Sequence, residues 1–109
     1  MLGQKLKAYY KNFYWHNLGL PDWEARVEKR LREEDMFAKP VIETLERVLN
    51  YSFSGKKILV VGAGTGAELI ALYEKGAEVY GVEPNPEGIE IIRLKFKNHG
   101  ISDKHILQD

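Results

Sequence analysis

The sequence predicts an α/β fold in which a parallel sheet follows a set of N-terminal helices. An apolar run over Ile58–Val61 ends in a glycine-rich turn at Gly62–Gly66. A helical pattern then leads to a second apolar run over Glu78–Val82, and a further helix and strand follow. This β-α-β-α-β order favours parallel strands joined by right-handed crossovers, with helices packed on the sheet.

Composition limits the classes of function. The 109 residues suffice for one small domain, and 16 basic side chains balance 16 acidic ones, so no charge excess argues for nucleic acid or an anionic membrane. The absence of cysteine excludes disulfides, thiolate zinc sites and cysteine nucleophiles. Without a membrane-length apolar run or the apolar core of a signal peptide, the expected location is the cytoplasm, with no membrane partner.

Residues 1–55 are predicted to be a helical segment without a nucleotide motif. The first helix is expected from Gly3 to about His16, where a break begins. Asp22 is expected to cap a second helix, running from Trp23 to about Asp35. Its stripe at Trp23, Val27 and Leu31 is expected to be buried, and its run of charges to face water.

Pro40 is expected to be the first residue of a third helix, since proline is favoured at that position. Apolar residues recur there with the helical period and are expected to face inward: Val41, Ile42, Leu45, Val48 and Leu49.

Residues 56–109 are predicted to form the sheet. The unbroken apolar run Ile58–Val61 is typical of a strand covered on both faces. Helices are expected over Gly66–Lys75 and Pro86–Asn98, and a third strand is expected to begin at His105–Gln108. The residues expected to face inward are Leu69, Ile70, Leu72 and Tyr73 in the first helix and Ile89, Ile92 and Phe96 in the second.

The glycine-rich turn and the acid after the second strand predict a nucleoside-sized site. Gly62, Gly64 and Gly66 have no Cβ, so the backbone can lie against a ligand. Glu83 comes 21 positions after Gly62, where a ribose-binding acid belongs, and one carboxylate can accept from both ribose hydroxyls. The free N–H groups at the start of the helix near Gly66 can donate hydrogen bonds to a carboxylate of the ligand. A strand-end acid contributes little to a core, so Glu83→Ala is expected to leave folding nearly unchanged.

Three segments, Val60–Gly66, Gly76–Glu83 and Pro84–Glu90, resemble the class I S-adenosylmethionine-dependent methyltransferases at matching spacing. The resemblance covers residues 56–109 and implies a Rossmann-like fold with S-adenosylmethionine as cofactor. In that family the glycine turn lies against the methionine part of the cofactor, the acid at the position of Glu83 binds the ribose, and an acid after the third strand meets the adenine. The implied cofactor-binding residues are Gly62, Ala63, Gly64, Thr65, Gly66, Glu83, Pro84 and Asp109.

The chain departs from that family at two places. Val60 stands where the family often has an acid that meets the amino-acid part of the cofactor. The complete fold continues beyond the third strand, and the groups that hold the methyl acceptor come from that later part. We therefore expect a cofactor-binding half-domain, truncated after the third strand, whose acceptor and catalytic residues are not readable. Ile58–Val61 would then be an unpaired edge, so self-association or pairing with a second-half chain is expected.

The N-terminal aromatic cluster has two interpretations. It packs in the core, as aromatic side chains commonly do, or it covers the cofactor or lines the acceptor pocket, as an N-terminal helical segment can in this family. Its members are Tyr9, Tyr10, Phe13, Tyr14 and Trp15.

Two other functions remain open. Gly62–Ala67 also satisfies the G-x-G-x-x-A pattern of an NAD(P)- or FAD-binding domain, although Gly66 and the Glu-Pro-Asn-Pro-Glu segment from Glu83 favour the methyltransferase. A non-catalytic binding or assembly module is the third interpretation. His16, His99 and His105 show no ligand spacing, so no metal site is expected.

Overall fold

The computed structural model describes residues 1–109 as five α-helices and three strands. The helices are α1 (Leu2–Lys11), α2 (Trp23–Glu33), α3 (Ala38–Leu49), α4 (Ala67–Glu74) and α5 (Pro86–Asn98). The strands are β1 (Lys57–Val61), β2 (Glu78–Val82) and β3 (Ile106–Leu107). A π-helical segment, Asn12–Asn17, continues α1.

The strands form one parallel sheet in the order β1-β2-β3. Val61 is level with Val82, and Val82 with Leu107, so the carboxyl ends of all the strands meet at one edge. This confirms the Rossmann-like fold with N-terminal helices. In such sheets ligands bind in the crevice outside the carboxyl ends of the strands.

The main core lies between one face of the sheet and helices α4 and α5. Val79 and Ile106 are buried on that face, and Ile92 and Phe96 of α5 are almost wholly inaccessible. The predicted inward stripes are confirmed for Leu69, Ile70, Leu72, Ile89, Ile92 and Phe96. The prediction for Tyr73 is wrong: its side chain is 45% exposed, because it lies in the last turn of α4, at the margin of the buried face.

The prediction that β1 is covered on both faces is also wrong. Leu59 is 57% and Val61 75% exposed, whereas Ile58 and Val60 pack against the main core. Both crossovers advance in the same direction across the sheet, so right-handed connections place α4 and α5 on the same face. Helix α3 packs against α4 and not against the sheet. The opposite face of the sheet therefore carries no helix.

The N-terminal helices build a second, smaller core. Leu6 and Tyr10 of α1 pack with Val27 of α2 and Ile91 of α5, so this core attaches the helical segment to the sheet half. Of the predicted stripe on α2, Val27 is buried and Trp23 and Leu31 are half-buried. No helix of the chain combines the length and the apolar character needed to cross a membrane.

Two helix starts differ from the predictions. The Asp22 carboxylate makes no capping bond to the backbone of α2. It accepts instead from Arg26 Nε at 3.0 Å, because the Arg26 side chain, one turn further along the helix, competes with the backbone amides for the carboxylate. Helix α3 begins at Ala38, two residues before Pro40.

The apolar stripe predicted for α3 is buried only at Ile42. Only one side of the helix meets α4, and the other side has no neighbour in the chain. The exposed members of that stripe are Val41, Leu45, Val48 and Leu49.

Candidate functional site

The glycine-rich turn connects β1 to α4 at the carboxyl edge of the sheet. The amides of Gly62 and Ala63 both donate to the Val82 carbonyl, at 2.8 and 3.1 Å, and this fixes the turn to the end of β2. Gly64 and Gly66 have φ angles of +60° and +83°, in the left-handed region that favours glycine. A Cβ on Gly66 would lie 2.9 Å from Ile92 Cγ1, so this glycine also allows the turn to approach α5.

Glu83 connects the turn to the start of α5. It is 6% exposed, its Oε1 accepts from the Gly64 amide at 2.7 Å, and its Oε2 accepts from the Asn85 amide at 2.8 Å. The Asn85 side chain in turn caps α5 by accepting from the Glu87 amide at 2.9 Å. The expectation that Glu83 contributes little to folding is therefore wrong, because its carboxylate holds two backbone segments together.

The Glu83 carboxylate keeps acceptor directions that the chain does not use. Each carboxylate oxygen has more than one acceptor direction, and each of these two oxygens accepts a single hydrogen bond from the chain. The negative charge lies directly beneath the glycine-rich turn.

Gly88, in the first turns of α5, is a residue of this region that the sequence analysis did not single out. A Cβ there would lie 2.7 Å from the Gly64 carbonyl oxygen and 3.1 Å from Glu83 Cγ. Glycine at this point lets α5 approach both the turn and the acid. The signal available in the sequence was a helix-disfavouring glycine inside an otherwise strong helical pattern.

A cavity of about 430 Å³ opens above the turn, a size that suits a small-molecule ligand. One wall consists of the turn and the start of α4, and the facing wall comes from the N-terminal helices. Thr65, Ala67 and Glu68 line it, and their amides donate to no acceptor within the chain. The residues of the facing wall are Tyr9, Tyr10, Phe13, Tyr14, Arg30 and Phe37.

The aromatic cluster contributes both to the smaller core and to the wall of the cavity. Tyr10 is 5% exposed and belongs to the smaller core, yet it also lines the cavity beside Tyr9, Phe13 and Tyr14. Trp15 is the exception, since it is 43% exposed and lies against Trp23, away from the cavity.

A buried ionic cluster lies behind the cavity wall. Glu34 is 3% exposed, accepts from Lys95 Nζ at 2.5 Å and accepts a hydrogen bond from the Tyr10 hydroxyl. That hydroxyl also lies 3.4 Å from Thr65 Oγ1, so the cluster connects the segment after α2 to α1, α5 and the turn. The expectation that the charges up to Asp35 all face water is wrong at Glu34, because Lys95 of α5 reaches it in the interior.

Burial and charge set the ionisation of this cluster. Burial alone would raise the pKa of Glu34, but the Lys95 ammonium and the neighbouring hydroxyl groups together hold that pKa below its usual value. Burial, followed by the hydrogen bond to Glu34, raises the pKa of Tyr10. The carboxylate is therefore charged and the phenol neutral at physiological pH.

The structure brings the predicted site residues to the same edge of the sheet. Gly62, Ala63, Gly64 and Thr65 line the cavity, and Gly66 is buried at the start of α4. Glu83 lies behind Gly64 and is not part of the cavity wall. Pro84 and Asp109 are exposed, and the Asp109 amide lies 3.3 Å from the Glu83 carbonyl oxygen.

Arg30 is one of the cavity residues that the sequence analysis did not single out, with Phe37 and Glu68. It lies in a run of charges that has the pattern of a solvated helix face, and only the packing of α2 against α1 turns its side chain towards the cavity. No group of three or more histidine, cysteine, aspartate or glutamate side chains in the chain could hold a metal ion.

Comparisons with known proteins bear on the identity of the fold. The model of a methyltransferase domain family matches residues 31–108, and no curated protein matches. A solved structure titled as a SAM-dependent methyltransferase from Bacteroides fragilis in complex with S-adenosyl-L-homocysteine is 34% identical, with a TM-score of 0.42. That match covers 59% of this chain and 24% of the other, so this chain spans about a quarter of that protein. Because the family model matches well over half of its residues, the chain belongs to the methyltransferase domain family.

Proposed function

We propose that the chain binds S-adenosylmethionine and its demethylated product, S-adenosylhomocysteine, as the cofactor-binding part of a methyltransferase. The observation that carries this proposal is the joint geometry of the turn and the acid. Thr65, Ala67 and Glu68, whose amides donate to no acceptor in the chain, line a cavity beside a buried carboxylate at the carboxyl edge of the sheet. The methyltransferase domain family that matches residues 31–108 supports the same ligand class.

Each predicted site residue has a role in this proposal. The turn from Gly62 to Gly66 holds the methionine part of the ligand through backbone contacts, which the missing side chains of its three glycines allow. Glu83 accepts hydrogen bonds from the ribose hydroxyls with the acceptor directions that Gly64 and Asn85 leave free. Pro84 and Asp109 lie at the exposed side of that acid and border the adenine.

The bound cofactor would supply a methyl group on a positively charged sulfur, which is already activated for displacement. The contribution of this chain is then mainly positioning, because an in-line displacement depends on the orientation of the reacting groups. The chain binds the cofactor and, through the N-terminal aromatic side chains, shields it from water. The methyl acceptor and any catalytic residues remain unassigned.

A dinucleotide such as NAD is the alternative ligand, because the turn from Gly62 to Ala67 also fits a dinucleotide-binding pattern. Parallel calorimetric titrations with S-adenosylmethionine, S-adenosylhomocysteine and NAD separate the two. We expect both sulfur compounds to bind and NAD not to bind. Binding of NAD with neither sulfur compound would reject the methyltransferase assignment. Failure of all three ligands to bind would reject cofactor binding by this chain and leave a non-catalytic assembly module.

We also propose that this chain associates through β1, either with a second copy or with a chain that supplies the rest of the domain. β1 is an edge strand whose outer N–H and C=O groups have no strand partner, and Leu59 and Val61 are exposed beside that edge. Natural proteins avoid exposing an apolar edge of this kind. Two copies joined at β1 would satisfy both edges in one symmetric contact.

Light scattering at micromolar concentration tests this association. We expect a species larger than the 12.5 kDa monomer, and we expect Leu59→Lys to reduce it. Leu18→Lys is the control, because Leu18 is similarly exposed but directly follows the π-helical segment, away from the sheet. A folded wild-type chain that stays strictly monomeric would contradict self-association.

A further inference from the structure

The N-terminal helices are attached to the sheet half by a small apolar contact. The smaller core contains 4 buried side chains, whereas the main core contains 14. Apolar burial therefore holds these helices more weakly than it holds α4 and α5 on the sheet. One wall of the cavity belongs to the N-terminal helices and the other to the glycine-rich turn, so the shape of the cavity depends on how these helices dock.

A buried ion pair between Glu34 and Lys95 fixes that docking. The two side chains are almost wholly inaccessible, and Lys95 Nζ lies 2.5 Å from the Glu34 carboxylate. Such a pair adds little net stability, because the loss of hydration offsets the attraction between the charges. Any arrangement that separates the partners leaves a buried charge uncompensated, however, and this is costly. The pair therefore selects one position of the N-terminal helices on α5.

Tyr10 connects this ion pair to the cavity. Its hydroxyl donates to Glu34, accepts from Arg30 at 3.0 Å and lies 3.4 Å from Thr65 Oγ1. Tyr10 and Thr65 both line the cavity, and the Thr65 amide donates to no acceptor in the chain. Neither member of the ion pair lines the cavity. An effect of Glu34 or Lys95 on a ligand there must therefore pass through the residues of the wall.

We infer that Glu34 and Lys95 are positioning residues for the cavity, and that their ion pair links docking of the N-terminal helices to ligand binding at the turn. The pair holds the Tyr10 hydroxyl, and Tyr10 in turn sets the position of Thr65. Lys95 thus takes part in ligand binding although no residue of α5 lines the cavity. The inference rests on the proposed function, which supplies S-adenosylhomocysteine as the ligand for its test.

Two uncharged replacements of the ion pair test the inference by calorimetry with S-adenosylhomocysteine. Glu34→Met with Lys95→Met removes the acceptor of the Tyr10 hydroxyl, whereas Glu34→Gln with Lys95→Met keeps an acceptor oxygen there. We expect the first variant to bind about threefold to thirtyfold more weakly than wild type, the range for residues that act on a site through others, and the second to recover most of that loss. We expect both to keep urea midpoints near that of the wild type, because uncharged side chains can replace a buried pair at little cost. Lys97→Met is the control, since Lys97 is exposed on the same helix.

Hydrogen exchange of the α1 amides measures the other side of the linkage. Because coupling between two equilibria is reciprocal, a ligand that binds better when the helices are docked must also favour docking. We expect S-adenosylhomocysteine to slow exchange in α1 of the wild type and of the glutamine-containing variant, and to slow it less in the variant with two methionines. Exchange in wild-type α1 that is the same with and without bound ligand would contradict the linkage.

The outcomes separate the inference from the proposed function. If the wild type binds S-adenosylhomocysteine and both pair variants bind it equally well, the inference is wrong and the proposed function stands. If the variant with two methionines does not fold, Tyr10→Phe decides, because it keeps the ring in the smaller core and removes only the hydroxyl; unchanged binding would overturn the inference. If the wild type binds no S-adenosylhomocysteine, the proposed function fails and the inference fails with it.

Discussion

Replacement of Glu83 by alanine should destabilise the fold as well as weaken ligand binding. The carboxylate is 6% exposed and accepts from the amides of Gly64 and Asn85 at 2.7 and 2.8 Å. A hydrogen bond to a charged group contributes about 1.5–3 kcal/mol, and two such bonds are lost together. Because water can replace part of each bond once the side chain is removed, we expect a loss of about 2–4 kcal/mol in the free energy of unfolding.

Urea denaturation followed by circular dichroism measures this loss. Glu83→Gln keeps one acceptor oxygen, so we expect about half the effect of the alanine variant. Glu74→Ala serves as the control, since Glu74 is exposed on α4 and makes no ion pair. A Glu83→Ala variant that unfolds within about 0.5 kcal/mol of wild type, the range of an ordinary surface substitution, would refute this reading of the turn.

Three further results are expected from the buried cluster and from the contact between α5 and the turn. The pKa of Glu34 is lowered from its ordinary value of 4.5, so its contribution to the free energy of unfolding is present above pH 4.5 and is lost as the pH falls below that value. Glu34→Gln should therefore make the free energy of unfolding depend less on pH on the acid side. Lys95→Met should cost about 3–5 kcal/mol in urea denaturation at neutral pH, because it strands a buried carboxylate, and a cost below about 1 kcal/mol would contradict the ion pair. Gly88→Ala should lower the melting temperature, since its Cβ would lie 2.7 Å from the Gly64 carbonyl oxygen; unchanged melting would show that α5 does not approach the turn so closely.

The sheet half was predictable because its signals are local. β2 and α5 begin and end at the predicted residues, since the apolar run Glu78–Val82 and the proline at the start of α5 mark their limits. The position of Glu83 beside the turn was predictable from its spacing after Gly62. Its structural role was not, because the bond to Gly64 depends on how the ends of two strands align.

The N-terminal half was less predictable because its environment depends on tertiary packing. The charge pattern of α2 gives no sign that Arg30 faces a cavity or that Glu34 is buried, since Lys95 comes from a helix 61 residues away. The apolar pattern of α3 and β1 indicated burial, yet most of those side chains are exposed. Their period and composition indicate a capacity to be buried, but no element of the chain covers the outer side of α3 or the face of β1 that carries no helix.

Amide chemical-shift mapping during titration with S-adenosylhomocysteine tests the central claim most directly. The claim is that the glycine-rich turn and the acid after β2 form the ligand site of this chain. We expect the largest shifts at the amides of Thr65, Ala67 and Glu68, which have no acceptor in the chain, with smaller shifts at Gly64 and Asn85 through Glu83. Shifts confined to the larger cavity of about 610 Å³ beside α5 and Gln108, or no shifts at saturating ligand, would contradict it.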